Sequence, residues 1–191
     1  MLINQIFEKV KKKFQKDINR LNHILGVYAQ SIELASFYKI DIQKIKIASL
    51  FHDYTKNDSL EFHLSLINEK IIKKYKETPF VYHAFSAAVI LQKQFFIKDK
   101  LILNAICNHV WGHKNMNLLD KILLVSDKTE INRTYPQVNY LRKLSFQNID
   151  LTIYEILKLN LLYYSKKGFI VHSNFLETLN FFKKIKNKNI L

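Results

Sequence analysis

The sequence predicts an all-α fold in a single domain, and three observations carry that expectation. The 191 residues include only 3 Gly and 2 Pro, too little punctuation for a strand-rich architecture full of turns. Apolar residues recur at spacings of three and four in segment after segment, the period of an amphipathic helix. Asp or Ser precedes several of these segments, where its side-chain oxygen can accept from the first free amides of a helix. Hydrophobic residues make up 48% of the chain, with 14 Phe and 10 Tyr, so a sizeable core is available and disorder is excluded.

In order, Leu2, Ile3, Ile6, Phe7, Val10 and Phe14 outline a first helix. Asp17 caps a second, through Leu21, Ile24, Leu25, Tyr28, Ile32, Leu34 and Ala35 to about Tyr38. Asp41 caps a third, which carries Ile45, Ile47, Ala48 and Leu50 into His52. Asn57-Asp58-Ser59 reads as a loop or a new cap before helices from Leu60 to about Ile67 and from Glu69 to Tyr75. Thr78-Pro79 interrupts the pattern, and the next helix, about Val81 to Phe95, has small residues at Ala84, Ser86, Ala87 and Ala88 that admit a close neighbour. Asp99 opens a helix through Leu103, Ile106 and His109, which Gly112 ends. Leu118 to about Glu130 turns Leu119, Ile122, Leu123 and Val125 inward. After Tyr135-Pro136, helices are expected over about Gln137 to Phe146 and Asp150 to Ser165. Gly168 then precedes a short extended piece, Phe169-Ile170-Val171, and a lysine-rich helix over about Ser173 to Lys186. No repeat, linker or boundary divides the chain, so one domain is expected over 1–191.

Composition narrows the function classes. The one cysteine, Cys107, excludes an internal disulfide and any thiolate zinc site. Met1 to Lys13 contains no continuous apolar run, and no stretch approaches the ~18 uncharged apolar residues of a membrane helix. A soluble, cytoplasmic protein without membrane contact is expected. The formal charge of +14 either attracts a polyanion, nucleic acid or a phosphate-rich small molecule, or reflects lysines scattered without purpose; both readings stay open at this point.

The chemistry gathers around Ala48-Ser49-Leu50-Phe51-His52-Asp53-Tyr54-Thr55-Lys56, where an apolar helix ends in adjacent His and Asp. A buried pair of this kind needs a partner, either a hydrogen bond within the core or a metal ion. Of the seven histidines, His23 sits among apolar residues of the second helix, His83 opens the small-residue helix, and His109 lies near the end of its own. Asp127 stands midway along Lys121 to Glu130. Singly, each histidine reads as a core residue with one hydrogen bond. Separate helices each delivering such a group suit two divalent cations, which need several neutral imidazoles and carboxylates, one of them bridging. Four imidazoles with Asp53 and Asp127, and no thiol, favour iron, manganese or a similar metal over structural zinc.

The order of these motifs resembles the HD-domain metal-dependent phosphohydrolases, and more narrowly the YqeK-type family of bacterial symmetrical diadenosine tetraphosphate hydrolases. The resemblance covers about 17–178. It rests on His23 in an Arg-x-x-His-x-x-x-Val context, Phe51-His52-Asp53-Tyr54-Thr55-Lys56, Tyr82-His83-Ala84-Phe85-Ser86-Ala87 and Ala105-Ile106-Cys107-Asn108-His109. Gly112, Met116, Asp120-Lys121-Ile122-Leu123 and Ser126-Asp127-Lys128-Thr129-Glu130-Ile131-Asn132-Arg133 continue it. It implies an HD-domain helical bundle. One metal would be held by His23, His52, Asp53 and Asp127, and a second by His83 and His109, with Asp53 bridging. Lys56 and Arg133 would face the phosphates of a dinucleoside polyphosphate, the cofactor would be a di-iron centre, and the products two ADP.

The residue chemistry agrees: paired cations lower the pKa of bound water to yield a hydroxide nucleophile. Lys56 lies one turn from His52 if the helix continues, and Arg133 offers either a guanidinium for phosphate or a salt bridge to Glu130. The family's turn after the second-metal histidine is His-Thr-x-Gly, whereas here it is His109-Val110-Trp111-Gly112. A hydroxyl is missing there, and Trp111 either stacks on a base or fills the core, core filling being favoured. His113, His63 and His172 are read as surface or structural. Other nucleotides (an alarmone, a dNTP, a cyclic nucleotide) are alternative substrates for the same metal residues. An RNA-binding protein is the alternative of another class, although nucleic acid is not the expected partner. Oligomeric state is open, a homodimer included.

Overall fold

The computed structural model describes residues 2–188; Met1 and 189–191, which the expected domain also took in, lie outside the described residues. Eleven α-helices make up the described chain: α1 (Leu2–Lys13), α2 (Ile18–Phe37), α3 (Ile42–Phe51), α4 (Leu60–Leu66), α5 (Glu69–Tyr75), α6 (Tyr82–Phe95), α7 (Lys100–Asn108), α8 (Leu118–Thr129), α9 (Val138–Ser145), α10 (Ile149–Lys167) and α11 (Ser173–Lys188). The all-α expectation holds, and among the described residues there is no strand. Phe169-Ile170-Val171 is an irregular connection with its first two residues exposed, because no neighbouring segment supplies a ladder.

The caps behave as their chemistry demands. Asp17 accepts from the Arg20 amide, Asp41 from Gln43 and Lys44, Ser59 from Phe62 and Asp99 from Leu101. Asn117 and Asp120 close a reciprocal capping box on α8. Gly168 ends α10 at φ 69°, the left-handed conformation that glycine adopts without strain. Two boundaries differ from the expected ones. A 3-10 turn, Pro79–Val81, precedes α6, since Pro79 has no amide to give to a longer helix. Helix α7 stops at Asn108, and the chain runs on through a turn in which the Gly112 amide still reaches the Asn108 carbonyl at 2.7 Å.

Helices α2, α3, α7 and α8 pack together at the centre, with α6 against α7 and α1 against α3. Helix α10 lies against α8, α9 and α11. The core is built from Ile24, Val27 and Leu34 of α2, Ile45 and Leu50 of α3, Ile102 and Ile106 of α7, and Ile122 to Val125 of α8, all buried. Buried Ile153, Ile156 and Phe175 extend it toward the C-terminus. The central four helices are therefore held by apolar burial, and their polar groups at one level face one another.

Leu34 is fully buried in α2. Leu34→Ala removes that packing and is expected to cost about 2–5 kcal/mol, read as a lowered midpoint in urea denaturation.

Candidate metal centre

Four imidazoles reach one buried point from four elements: His23 from α2, His52 at the C-cap of α3, His83 from the first turn of α6 and His109 at the C-cap of α7. Asp53 follows His52, and Asp127 projects from α8. All six are at most 8% exposed. Three of the rings are aimed by the same local device. Nδ1–H of His52 donates to the Ser49 carbonyl at 2.7 Å, that of His83 to Phe80 at 2.6 Å, and that of His109 to Ile106 at 2.7 Å, always three residues back. With the proton committed to Nδ1, each ring presents a bare Nε2 lone pair to the centre. The fourth, His23, gives Nδ1–H to the Glu130 carboxylate at 3.1 Å.

The Nε2 atoms then surround Asp53. Its Oδ1 lies 3.1 Å from His83 and 3.5 Å from His109, and its Oδ2 3.6 Å from His23 and 3.7 Å from His52. Arg20 also contacts Oδ2 through Nη1. Each carboxylate oxygen thus faces its own pair of imidazoles, and His23-His52-Asp53 and Asp53-His83-His109 each bring their ligand atoms within 4.8 Å of one another. His83 Nε2 stands 3.2 Å from His109 Nε2, a spacing at which two lone pairs repel unless a proton or a cation lies between them. Nε2 of His52 is buried with no hydrogen-bond partner, a costly state for a polar atom. A divalent cation relieves both conditions, so the residues fit a metal.

Electrostatics point the same way at His52, His83 and the two aspartates. Burial pushes His52 down to about 3 and His83 down to about 4, so both rings are neutral at physiological pH, as ligands must be. Burial also works to raise Asp53, but its carboxyl is held well below the usual range, so the group is an anion. Asp127 behaves likewise, with Lys128 the strongest of the groups that keep it ionised. Burial opposes charge on His23, yet Asp127 and Glu130 carry its pKa upward, because acids flank both ring nitrogens.

Asp127 Oδ1 lies 3.1 Å from His23 Nε2 and accepts from Arg133 Nη2 at 2.9 Å, while Lys128 meets Oδ2 at 2.7 Å. Arg133 Nε donates to the Asp127 carbonyl at 2.9 Å and is 3.7 Å from Glu130. Its main partner is therefore Asp127, a contact neither expected reading contained. Lys56 is not on a helix, since α3 ends at Phe51, but the tight turn after His52 brings it to the centre by another route. Its Nζ lies 3.4 Å from His83 Nδ1, and burial lowers its pKa. A cavity of about 200 Å³ joins Asp53, His83, His109 and Asp127 to Arg20, Lys56, Lys128, Arg133 and Val110. Four cationic side chains around a carboxylate-imidazole cluster suit an anionic substrate.

A profile of the HD domain matches residues 20–132 of this chain. The chain belongs to the HD-domain family. The matched segment begins at Arg20 and contains all six residues of the cluster, while Arg133 follows it directly. The chain is 32% identical to the symmetrical bis(5'-nucleosyl)-tetraphosphatase of Bacillus subtilis (strain 168), over 82% of this chain and 85% of that one. It is 28% identical to the enzyme of the same name from Staphylococcus aureus (strain NCTC 8325 / PS 47), over 92% and 93%. Within the HD-domain family it thus falls with the symmetrical bis(5'-nucleosyl)-tetraphosphatases. The crystal structure of an HD superfamily hydrolase from Clostridium acetobutylicum, described as involved in NAD metabolism, superposes with a TM-score of 0.85 at 26% identity, covering 95% of this chain and 96% of that one.

The HD centre brings together every expected site residue: His23, His52, Asp53, Lys56, His83, His109, Asp127 and Arg133. His63 bonds Ser86 at 2.8 Å, His172 bonds the Lys74 carbonyl at 2.9 Å, and His113 is exposed. Trp111 is 6% exposed, packed against Phe80, His172 and Phe175, with its Nε1–H donating to Tyr164 at 3.3 Å, so it fills the core. Supporting roles escaped the sequence reading. Arg20 and Glu130 were visible as charges one turn from His23 and Asp127, at spacings that place them on the same helix face. Gly26 was not. It sits inside α2 because a Cβ there would come within 2.3 Å of Glu130 Oε2. Arg142 of α9 was equally hidden. It donates to the carbonyls of Thr129 (2.7 Å), Glu130 (2.6 Å) and Arg133 (2.9 Å), capping the end of α8 and holding the Glu130–Arg133 turn in place.

Gly→Ala inside a helix ordinarily stabilises by about 0.5–1 kcal/mol. Gly26→Ala is expected to do the reverse and, by displacing Glu130, to weaken Mn2+ binding about 10–100-fold; a more stable protein with unchanged Mn2+ affinity in titration calorimetry would contradict this placement. Arg142→Ala is expected to cost about 2–3 kcal/mol through the carbonyls it leaves bare, measured by urea denaturation.

Proposed function

We propose that this chain hydrolyses diadenosine tetraphosphate symmetrically to two ADP, with two divalent cations held at the His/Asp centre. The observation that carries the proposal is Asp53, each of whose oxygens faces a separate pair of bare imidazole Nε2 atoms inside a ring of four cations. Its relatives named as symmetrical bis(5'-nucleosyl)-tetraphosphatases supply the substrate class.

In this reading His23, His52, Asp53 and Asp127 hold one cation and His83 and His109 the other, with Asp53 shared. A donor set of imidazole and carboxylate without thiolate favours iron, with manganese the near alternative. Such cations supply Lewis acidity toward phosphate oxygens and lower the pKa of water. The chain's own residues do the rest. Glu130 and the three backbone carbonyls keep every ring in the ligand tautomer. Lys56, Lys128, Arg133 and Arg20 line the cavity and bind the non-bridging oxygens of the inner phosphates, where charge accumulates as the bond breaks. Arg133 is the best suited of them, because its contacts to Asp127 pre-orient the fork that meets a phosphate. The oxygen of water forms the new bond to one central phosphorus. The oxygen bridging the two central phosphates leaves with the second ADP, and the proton goes to solvent.

Val110 lines the cavity and offers a methyl where the family's turn carries a hydroxyl. The side chain is of similar size, so the space for phosphate is kept and one hydrogen bond is lost. Among the described residues no helix is long and apolar enough to cross a membrane. The one cysteine is free, which suits action in a reducing cytoplasm.

Metal-loaded protein incubated with diadenosine tetraphosphate is expected to release ADP as the sole nucleotide; AMP with ATP would overturn the symmetric assignment. Asp53→Ala is expected to lose both metal equivalents in elemental analysis, and retention of two would remove Asp53 from the shared position.

A further inference from the structure

The cation-lined cavity accounts for phosphate but offers no surface for a base. Lys128 and Arg133, however, also line a second and larger recess of about 750 Å³, within the ~300–1,000 Å³ of ordinary ligand sites. Its other walls include Tyr135 and Pro136 from the turn after Arg133, and Ile156, Asn160, Tyr163 and Tyr164 from α10. Two of the three rings are held by their own hydroxyls. Tyr135 donates to the Lys128 carbonyl at 2.7 Å, and Tyr164 accepts from Trp111 at 3.3 Å. Rings fixed before a ligand arrives lose little entropy on binding it. Asn160, inside this aromatic setting, has its Nδ2 buried and without a hydrogen-bond partner, the state of a donor that waits for an acceptor.

The other recesses around the centre have a different character. The one of about 390 Å³ lined by Asp17, Asn19, Arg20, Asn22, Glu130 and Asn132 contains no aromatic side chain other than the imidazole of His23. The one of about 250 Å³ beside Lys56 and His63 has Phe80 as its one phenyl ring. A base that stacks needs aromatic faces, and an aromatic wall continuous with phosphate-binding cations is what a nucleotide requires.

We propose that the Tyr135–Tyr163–Tyr164 recess is a purine-nucleoside subsite that takes one adenosine of the tetraphosphate, with the Asn160 amide reading the base edge and Lys128 and Arg133 marking where the nucleoside gives way to phosphate. This rests on the hydrolase reading above. An asparagine amide matches adenine with two hydrogen bonds, accepting from N6 and donating to N7, and mismatches guanine at the first of them. The subsite therefore sets a preference for adenine as well as affinity.

The test combines equilibrium dialysis of ADP with Mn2+-loaded protein and steady-state hydrolysis of diadenosine and diguanosine tetraphosphates. Tyr163→Ala, at a side chain 53% exposed and so outside the core, and Asn160→Leu are each expected to weaken ADP about ten-fold or more and to raise KM for diadenosine tetraphosphate more than they lower kcat. Asn160→Leu is also expected to narrow the preference for the adenine over the guanine substrate. If wild-type protein splits diadenosine tetraphosphate to ADP while both variants keep its KM and its ADP affinity, the subsite is wrong and the hydrolase reading survives. If wild-type protein binds ADP and the variants lose it, yet no diadenosine tetraphosphate is split, the hydrolase reading fails and the subsite remains. Wild-type protein that binds no ADP overturns the subsite outright.

Discussion

The Nδ1 protons of His52, His83 and His109 go to carbonyls three residues back, and much of this molecule follows from that. A ring whose proton is committed on one side can only offer a lone pair on the other. The helix packing then brings those lone pairs, with that of His23, around a single buried carboxylate. In water such groups would be separately solvated. Here their solvent has been removed by Ile24, Leu50, Ile106 and Leu123, all fully buried. The apolar core supplies the free energy that keeps the polar cluster together, and the cluster is left with a need that the protein's own atoms do not meet.

Around this centre runs a layer of residues that act on the ligands rather than on any substrate. Glu130 orients His23, the missing side chain of Gly26 makes room for Glu130, and Asn132 adds two hydrogen bonds to the same carboxylate at 2.6 and 2.9 Å. Arg142 reaches across from α9 to the turn that carries Asn132 and Arg133. The chain beyond the HD-domain match therefore reaches back to the centre: it holds the last turn of α8 and, through α10, builds the wall of the aromatic recess.

The sequence made the helices legible, because amphipathic period and capping residues are local signals. It also made the ligands legible, through His52-Asp53 and the order of the remaining histidines. What it concealed has one physical cause. Arg133 pairs with Asp127 rather than chiefly with Glu130, Lys56 enters through a turn rather than along a helix, and Arg142 caps carbonyls nine to thirteen residues away. Each depends on how the chain bends between or after helices, and neither period nor composition encodes that bend. Gly26 is the sharpest case. Within α2 a glycine looks like a weakness, and only the position of a carboxylate 104 residues later (at 130, facing 26) explains it. Trp111 was readable because its size and single polar atom favour the interior.

The bond between His23 and Glu130 joins residues 107 positions apart. Contacts that close so long a loop form late, after the local helices are in place, since the chain entropy must be surrendered before they return anything. A chain halted just before α8 would already carry His23, His52, Asp53, His83 and His109, yet it would lack Asp127 and the acid that orients the first ring. The complete centre is therefore a certificate of finished folding. Chains halted or clipped before α8 hold five of the six clustered residues and lack both acids that flank the first ring.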